Sequence, residues 1–579
     1  MNFAKQTVAT LLVKALGEMG MADIPTEKEI AATLEYPPSP DKGDLAFPCF
    51  RLSKALRKAP PMIAAEIKEK LGADPLIASA VQAGGYLNFY LDKSVFASVT
   101  LKEVLEKKDS FGGSDEGKGK TVVLDYSSPN ICKPFHIGHL GTTVIGHAIK
   151  KLHEFAGYKC VGINYVGDWG TQFGKLIVAF KKWGDRETVE KGGIDALVDL
   201  YVRINNAISG DAEKGIPANP SLADEARAEF LKMEQGDEEN LALWRWLVEK
   251  TLKANDEIYR QLGITFDSYK GESCYTDKMP AQVQKLRDKG LLKIDDGASI
   301  VELSDYGMPP CLILKRDGSS LYPTRDIAAA VDRKEEYDFD KAIYVTSAGQ
   351  SLHFAQWFKV VELMGYDWAD KLVHVPYGTV SINGAKLATR TGNVILLRDL
   401  FGLAIEKVAA IMEEKNPNLA DKDKIAEAVG VGAIVFYYLS NNRIRDINFI
   451  MEDALSFDGN TGPYVQYTYA RTCSVLAKSG AYDREAKMTV TEAEEAELIK
   501  VIARFEEIVR EAIDSYEPSV VTRYILDLAG AYNRFYHNCS ILGAENETVK
   551  NTRLALTESA KTVLGNAFDL ICLAKTEKI

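Results

Sequence analysis

Two histidines three positions apart, His136 and His139 in "SSPNICKPFHIGHLGTTVIG" (127–146), follow an apolar, β-branched run, "TVVLDYS" (121–127). A strand that runs through a loop into a helix places such residues in the helix's first turn. There, unpaired amide groups and a partial positive charge favour an anion such as phosphate. Gly138 removes a side chain where a nucleotide could come close. Imidazoles at i and i+3 share a helix face and can donate hydrogen bonds to phosphoryl oxygens without permanent charge. A metal pair, or a capped helix start with incidental histidines, would use the same spacing. A second candidate is "NGAKLATRTGNVILLRDLF" (383–401), which sets Lys386, Thr389 and Arg390 on a Gly-flanked loop. A lysine there can close over a polyphosphate and stabilise charge that develops in a transition state. A solvated surface loop has the same composition.

The elements that must hold these residues follow from periodicity. Ile137, Leu140, Val144, Ile145, Ala148, Leu152 and Phe155 recur at helical spacing, and Gly157 is placed to stop that helix. "KCVGINYVG" (159–167) is the next buried strand, which completes a βαβ unit of a parallel sheet. Strand-like runs return at "KAIYVTS" (341–347) and "KLVHVPYGTV" (371–380), with a mostly helical, polar stretch of about 185–290 inserted between the two halves. "GGYLNFYLD" (84–92) is a strand of an α+β N-terminal unit, and the Gly-rich, charged "KKDSFGGSDEGKGK" (107–120) marks a boundary. Beyond 402 nearly everything has helical period. The expected division is an N-terminal domain at 1–112, a Rossmann-like α/β catalytic domain at 118–401 and an all-helical domain at 402–579.

At 579 residues, 46% hydrophobic and 26% charged, the chain has the composition of a multidomain globular protein. Its net charge of −12 excludes a generally basic surface but not a local basic patch that tracks nucleic acid. Eight scattered cysteines without a C-x-x-C pair argue against structural zinc or a disulfide framework, and for a reduced, cytoplasmic protein. No signal-peptide pattern or membrane-length apolar run is present.

The two chemistry-bearing stretches together resemble the "HIGH" and "KMSK" signatures of class I aminoacyl-tRNA synthetases. Their surroundings resemble the arginyl-tRNA synthetases in particular. "DYSSPNICKPFHIGHL", "NYVGDWGTQFGKL" (164–176), "YPTRDIAAAVDR" (322–333), "SLHFAQWF" (351–358) and "NTGPYVQYTYAR" (460–471) all carry the likeness, in family order and across most of the chain. The resemblance implies activation of L-arginine by ATP with Mg²⁺, transfer to tRNA-Arg, and a monomer with no membrane association. It assigns the ATP phosphates to His136 and His139 and the leaving pyrophosphate to Lys386. The second lysine of the loop signature is absent, and Lys133 stands where arginyl enzymes place a substitute. Gly141 is a further departure, since "HLR" is the more usual family pattern.

Two carboxylates lining a partly buried pocket repel unless a cation satisfies both, and the planar guanidinium fork does so well. Asp125 ends the first strand, and Asp326 follows Tyr322 at i+4 on a helix start. The family's arginine-binding residues match Asp125, Asn130, Tyr322, Asp326 and Gln350, with Asn130 and Gln350 at the α-amino and carboxylate end. Taken alone, Asp326 could be a helix cap and Tyr322 a core aromatic. Gly167, Asp168 and Gly170 end a strand on the expected ATP side, and His353 and Gln356 are expected near the adenosine. For tRNA, Arg51, Lys54 and Lys58 form a basic helical stripe, with Arg57 adjacent. Tyr86, Asn88 and Tyr90 alternate on a strand as stacking faces. Tyr464, Tyr467, Arg471 and Tyr536 are the anticodon-side candidates, with core packing the alternative for each aromatic. A ligase acting on a small acceptor would lack the tRNA-binding ends, and an inactive RNA-binding relative would have lost the histidines.

Overall fold

The computed structural model describes the chain except residues 132, 134, 211–214, 317, 383–384 and 387–394, and the side chains of Pro40, Ala385 and Lys386. Thr389, Arg390 and the side chain of Lys386 therefore lie outside the described residues. At the N-terminus, helices pack on an antiparallel sheet of β1 (Leu45–Pro48), β2 (Ile77–Ala83) and β3 (Tyr86–Leu91), in the order β1–β3–β2.

The chain then enters a parallel sheet through β4 (Thr121–Asp125), helix Ile137–Phe155 and β5 (Lys159–Ile163). Helices Thr171–Trp183, Arg186–Ser209, Ser221–Glu234 and Glu238–Leu262 follow. The Asp185 and Asp237 carboxylates cap the second and fourth of these, and Gly263 at φ +66° ends the fourth. Next comes an antiparallel sheet of β6 (Leu292–Asp295), β7 (Ala298–Val301) and β8 (Cys311–Leu314). Helix Tyr322–Tyr337 returns the chain to the parallel sheet as β9 (Lys341–Ser347), helix Ser351–Leu363 and β10 (Leu372–Tyr377).

The parallel order is β10–β9–β4–β5, so the chain crosses from one side of β4 to the other between β5 and β9. The crevice between the carboxyl ends of β4 and β9 is thus the topological switch point, where doubly wound sheets bind ligands. Beyond β10, β11 (Val380–Ile382), β12 (Ala385–Lys386) and β13 (Ile447–Phe449) form a small sheet in the order β12–β11–β13. β13 is the departure from an otherwise helical C-terminal region.

Helix Ile137–Phe155 is buried on nearly every side: Ile137, Leu140, Val144, Ile145, Ala148 and Leu152 are all 2% exposed or less. Each of the larger aliphatic side chains among these contributes roughly 1.5–3 kcal/mol of transfer free energy. One face packs on the sheet and another on the C-terminal helices, within a single apolar cluster that also includes N-terminal residues such as Leu12 and Phe89. Among the described residues no helix is long and apolar enough to cross a membrane.

Candidate active site

The histidine turn caps its own helix. The His136 Nδ1 accepts the Gly138 N–H at 3.0 Å, and the His136 N–H donates to the His139 Nδ1 at 3.1 Å. Both Nδ1 atoms are therefore acceptors, so each neutral ring carries its proton on Nε2. The rings lie 3.9 Å apart at 34°. Burial pushes His136 down to about 4, with the Lys133 charge adding to the effect. Burial, then the neighbouring His136 and Lys133, push His139 down to about 3. The pair thus presents two uncharged Nε2–H donors at a helix start. No cluster of three or more potential metal-ligating side chains occurs among the described residues.

This predicts a pH response. Between pH 8 and about 5, kcat/KM for ATP should show no inflection from these rings; a histidine break near the ordinary value of 6.5 would contradict the burial argument. In the unfolded chain both rings take up protons as pH falls through 6.5, whereas the folded rings resist until about 4 and 3. Their contribution to stability is therefore lost progressively as pH drops below 6.5.

The lysine loop is held at both ends, and its far end lies beside these histidines. At its start, Lys386 in β12 pairs in register with Ser381 of β11. At its end, the Ile137 N–H donates to the Ile395 carbonyl at 3.3 Å, and the Leu397 N–H to the Phe135 carbonyl at 3.0 Å. Lys133, half-buried, lies just ahead of the same turn. Gly141 has a packing reason: a Cβ there would stand 2.2 Å from the Tyr438 hydroxyl and 3.1 Å from the Tyr377 ring. Tyrosine side chains fill the volume that a larger residue at 141 would need.

At the amino-acid end the structure corrects the two-carboxylate expectation. Asp125, buried at the end of β4, already has a cation: the Arg333 Nη1 lies 2.8 Å from its Oδ2, and the Ser128 hydroxyl donates to its Oδ1 at 2.8 Å. Burial pushes the Asp125 carboxyl up, and Arg333 and Ser128 pull it back. Arg333 is 1% exposed, its guanidinium 5.0 Å from the Tyr165 ring centroid and 5.6 Å from that of Tyr344. Asp326, on the first turns of helix Tyr322–Tyr337, has no such partner among the described residues. Its Oδ2 instead lies 2.6 Å from the His353 Nε2.

His353 is thereby placed against the Asp326 carboxylate. Tyr322 is 67% exposed at the helix start, so it is not a core aromatic. Gln350 is exposed at the N-cap of helix Ser351–Leu363. Asn130 bridges to Gly167, whose lack of a side chain admits the Asn130 amide: a Cβ there would lie 2.4 Å from its Oδ1.

Three further expected site residues have structural partners or are buried. Asp168 is buried, and its two oxygens accept the Ser273 N–H at 2.9 Å and the Ser273 hydroxyl at 2.6 Å, which fixes the turn Glu272–Tyr275. Gln356 is a tether, its amide donating to the Pro309 and Pro310 carbonyls at 2.9 and 3.1 Å. Asn88 is buried at 7% exposure on the central strand β3, so it offers no stacking face. Tyr86 meets Phe50 edge-on at 5.2 Å. The basic stripe is also broken. Arg51 lies exposed in a 3-10 turn, Arg57 adopts φ +50° and Lys58 pairs with Glu66.

Residues the motifs did not indicate also line this end. Glu272 pairs with Arg325, and burial pushes its carboxyl up to about 7 despite that partner. Arg333 had a sequence signal in its spacing: it follows Asp326 by seven residues, two helical turns on the same face. In the C-terminal helices the four candidates do meet. The Arg471 guanidinium lies 5.1 Å from the Tyr467 ring centroid and 4.8 Å from that of Tyr536. Asn533 bonds both Arg471, at 2.5 Å, and the Tyr464 hydroxyl, at 3.0 Å.

Comparison with known proteins agrees with this architecture. Residues 100–451 match the model for the class I (R) tRNA synthetase catalytic domain, 6–91 the arginyl tRNA synthetase N-terminal domain, and 465–579 the DALR anticodon binding domain. An arginine–tRNA ligase of Alkaliphilus metalliredigens is 46% identical over 581 residues, covering 100% of both chains. That of Clostridioides difficile is 49% identical, covering 96% of this chain and 97% of its own. Among solved structures, the Thermus thermophilus arginyl-tRNA synthetase superposes with a TM-score of 0.82 at 25% identity, over 99% of this chain and 100% of its own. The Plasmodium falciparum enzyme shares the fold, with a TM-score of 0.79 at 23% identity, over 100% of this chain and 99% of its own. With models of all three parts matched and close relatives aligned end to end, the chain belongs to the arginyl-tRNA synthetase family of class I aminoacyl-tRNA synthetases.

Proposed function

We infer that the switch-point crevice is where this chain, an arginine–tRNA ligase, joins arginine to ATP and then to tRNA-Arg. An arginine carboxylate oxygen attacks the α-phosphorus, forming arginyl-adenylate as the bond to pyrophosphate breaks. The 2′-hydroxyl of the terminal adenosine then attacks the arginyl carbonyl, and AMP leaves. Neither step needs a covalent enzyme nucleophile; both need positioning and charge neutralisation.

The observation that carries the reading is the capped histidine pair, with neutral Nε2–H donors at a helix start and the lysine loop anchored on the same turn. In this reading His136 and His139 hold phosphoryl oxygens of Mg·ATP over Gly138. Lys386, with Lys133 replacing the missing second lysine, neutralises the leaving pyrophosphate. Thr389 and Arg390 bind the same nucleotide. Asp326 and Tyr322 receive the guanidinium, and Asn130 and Gln350 the α-amino and carboxylate end. Arg51 and Tyr86 contact tRNA from the N-terminal domain, 1–112. The Tyr464–Tyr467–Arg471–Tyr536 group offers stacking faces to anticodon bases from the helical domain, 402–579. Zinc has no part in the reading, and the chain works as a cytoplasmic monomer.

The test is aminoacylation with ATP, Mg²⁺, arginine and tRNA-Arg. Arginyl-tRNA should form, and arginine should not be replaceable by lysine or glutamine. Absence of product at high enzyme concentration would overturn the reading.

A further inference from the structure

The loop between β4 and the histidine helix begins with two consecutive non-glycine residues in the left-handed region, Ser127 at φ +70° and Ser128 at φ +47°. That conformation is unfavourable for side chains with a Cβ and persists where surrounding bonds over-determine it. The Ser127 N–H donates to the Thr142 Oγ1 at 3.0 Å and the Ser128 hydroxyl to Asp125, and a further anchor lies outside every motif, Tyr259 of helix Glu238–Leu262. Its hydroxyl lies 2.8 Å from the Ser127 Oγ and 3.0 Å from the Asn164 Nδ2. Asn164 in turn accepts the Ser128 N–H at 3.1 Å.

The donors in this network can be ordered. The Thr143 hydroxyl gives its one proton to the His139 carbonyl at 2.7 Å, so towards Ser127, 2.8 Å away, it must accept. Ser127 therefore donates to Thr143, and Tyr259 donates to Ser127, while the Tyr259 oxygen accepts from Asn164. A single directed chain runs Asn164, Tyr259, Ser127, Thr143, His139. Ser127, Thr143, Asn164 and Tyr259 are all 4% exposed or less, so water does not replace a missing link without rearrangement. The Tyr259 ring also meets Phe135 edge-on, at 5.6 Å and 87°, immediately before His136. One tyrosine thus grips both ends of the loop, with its hydroxyl at 127 and its ring at 135.

We propose that Tyr259 is a positioning residue for the phosphate-handling histidines, acting through the left-handed Ser127 and the hydroxyl chain to His139. The proposal rests on the functional reading above. Tyr259→Phe keeps the ring on Phe135 and removes only the hydroxyl. It should lower kcat/KM for ATP about tenfold in arginine-dependent pyrophosphate exchange with tRNA-Arg present, because it strands buried partners at both sides. Ser127→Gly cuts the chain itself, and glycine holds a positive φ without strain. Added to a chain that already carries Ser127→Gly, Tyr259→Phe should therefore cost no more than about twofold. Equal losses in both backgrounds would overturn the proposal, as would unchanged kcat/KM with only the melting temperature lowered. A wild-type chain inactive in exchange and charging would instead overturn the parent reading.

Discussion

Replacing Asp326 by alanine is expected to raise KM for arginine about a hundredfold while leaving KM for ATP within about twofold. Of the two carboxylates at the switch point, Asp125 is already engaged by Arg333 and Ser128, whereas among the described residues Asp326 is paired with an imidazole and no permanent cation. A guanidinium that enters the crevice therefore finds one carboxylate in need of a cation. A charge-assisted hydrogen bond in a partly buried site is worth about 1.5–3 kcal/mol, and the forked geometry adds selectivity against lysine. Pyrophosphate exchange titrated separately in arginine and ATP measures both constants. An unchanged arginine KM would remove Asp326 from the pocket.

Arg333→Met should destabilise the chain by roughly 3–5 kcal/mol, because it leaves the Asp125 carboxylate buried without its cation. The double variant Asp125→Asn with Arg333→Met should recover most of that loss, since an uncharged amide needs no counter-ion. Acidity provides a second readout. Burial raises the folded-state Asp125 value above its unfolded one, and removal of Arg333 takes away the largest opposing influence. A raised value means the folded state holds its proton more tightly, so the deficit of Arg333→Met should shrink as pH falls and grow as it rises. Thermal melts across pH 5–8 would show this. A deficit independent of pH, or no rescue by the double variant, would mean that Arg333 acts by packing alone.

The elements easiest to read from sequence are those in which burial imposes a period. β4, β5, β9 and β10 are apolar runs because both faces of a parallel sheet are covered. Helix Ile137–Phe155 shows its stripe because its apolar residues face two layers of core. β2, β6 and β12 are short or largely solvent-facing, with mixed compositions such as "IASAVQA" and "LKID", and carry no such period.

The site divides the same way. His136 and His139 are recognisable because their spacing itself makes the capped geometry. Tyr464, Tyr467 and Arg471 share one helical stripe, so their meeting is implied by the numbering. The partners of Asp168 and Gln356 and the burial of Asn88 are not legible in the sequence, because type and position cannot distinguish a carboxylate that fixes a turn from one that faces a ligand. Their partners, Ser273, the Pro309–Pro310 carbonyls and the core beneath β3, are contacts made by folding. Arg333 ends the stretch 322–333 and Tyr259 lies outside every motif, and the part of neither is legible there for the same reason: each meets its partner, Asp125 or Ser127, only in the fold.

Gly141 and Tyr438 show how such distance matters. The Tyr438 hydroxyl occupies the space where any side chain at 141 would begin. An arginine at 141, as the family signature has it, and this tyrosine would be alternative occupants of one volume. Neither position can change alone: a larger residue at 141 requires that Tyr438 first shrink or turn, and Tyr438 as it stands holds 141 to glycine. The histidine helix and the helical domain behind it thus form one unit of change, since a larger residue at 141 is tolerated only with a smaller or turned one at 438.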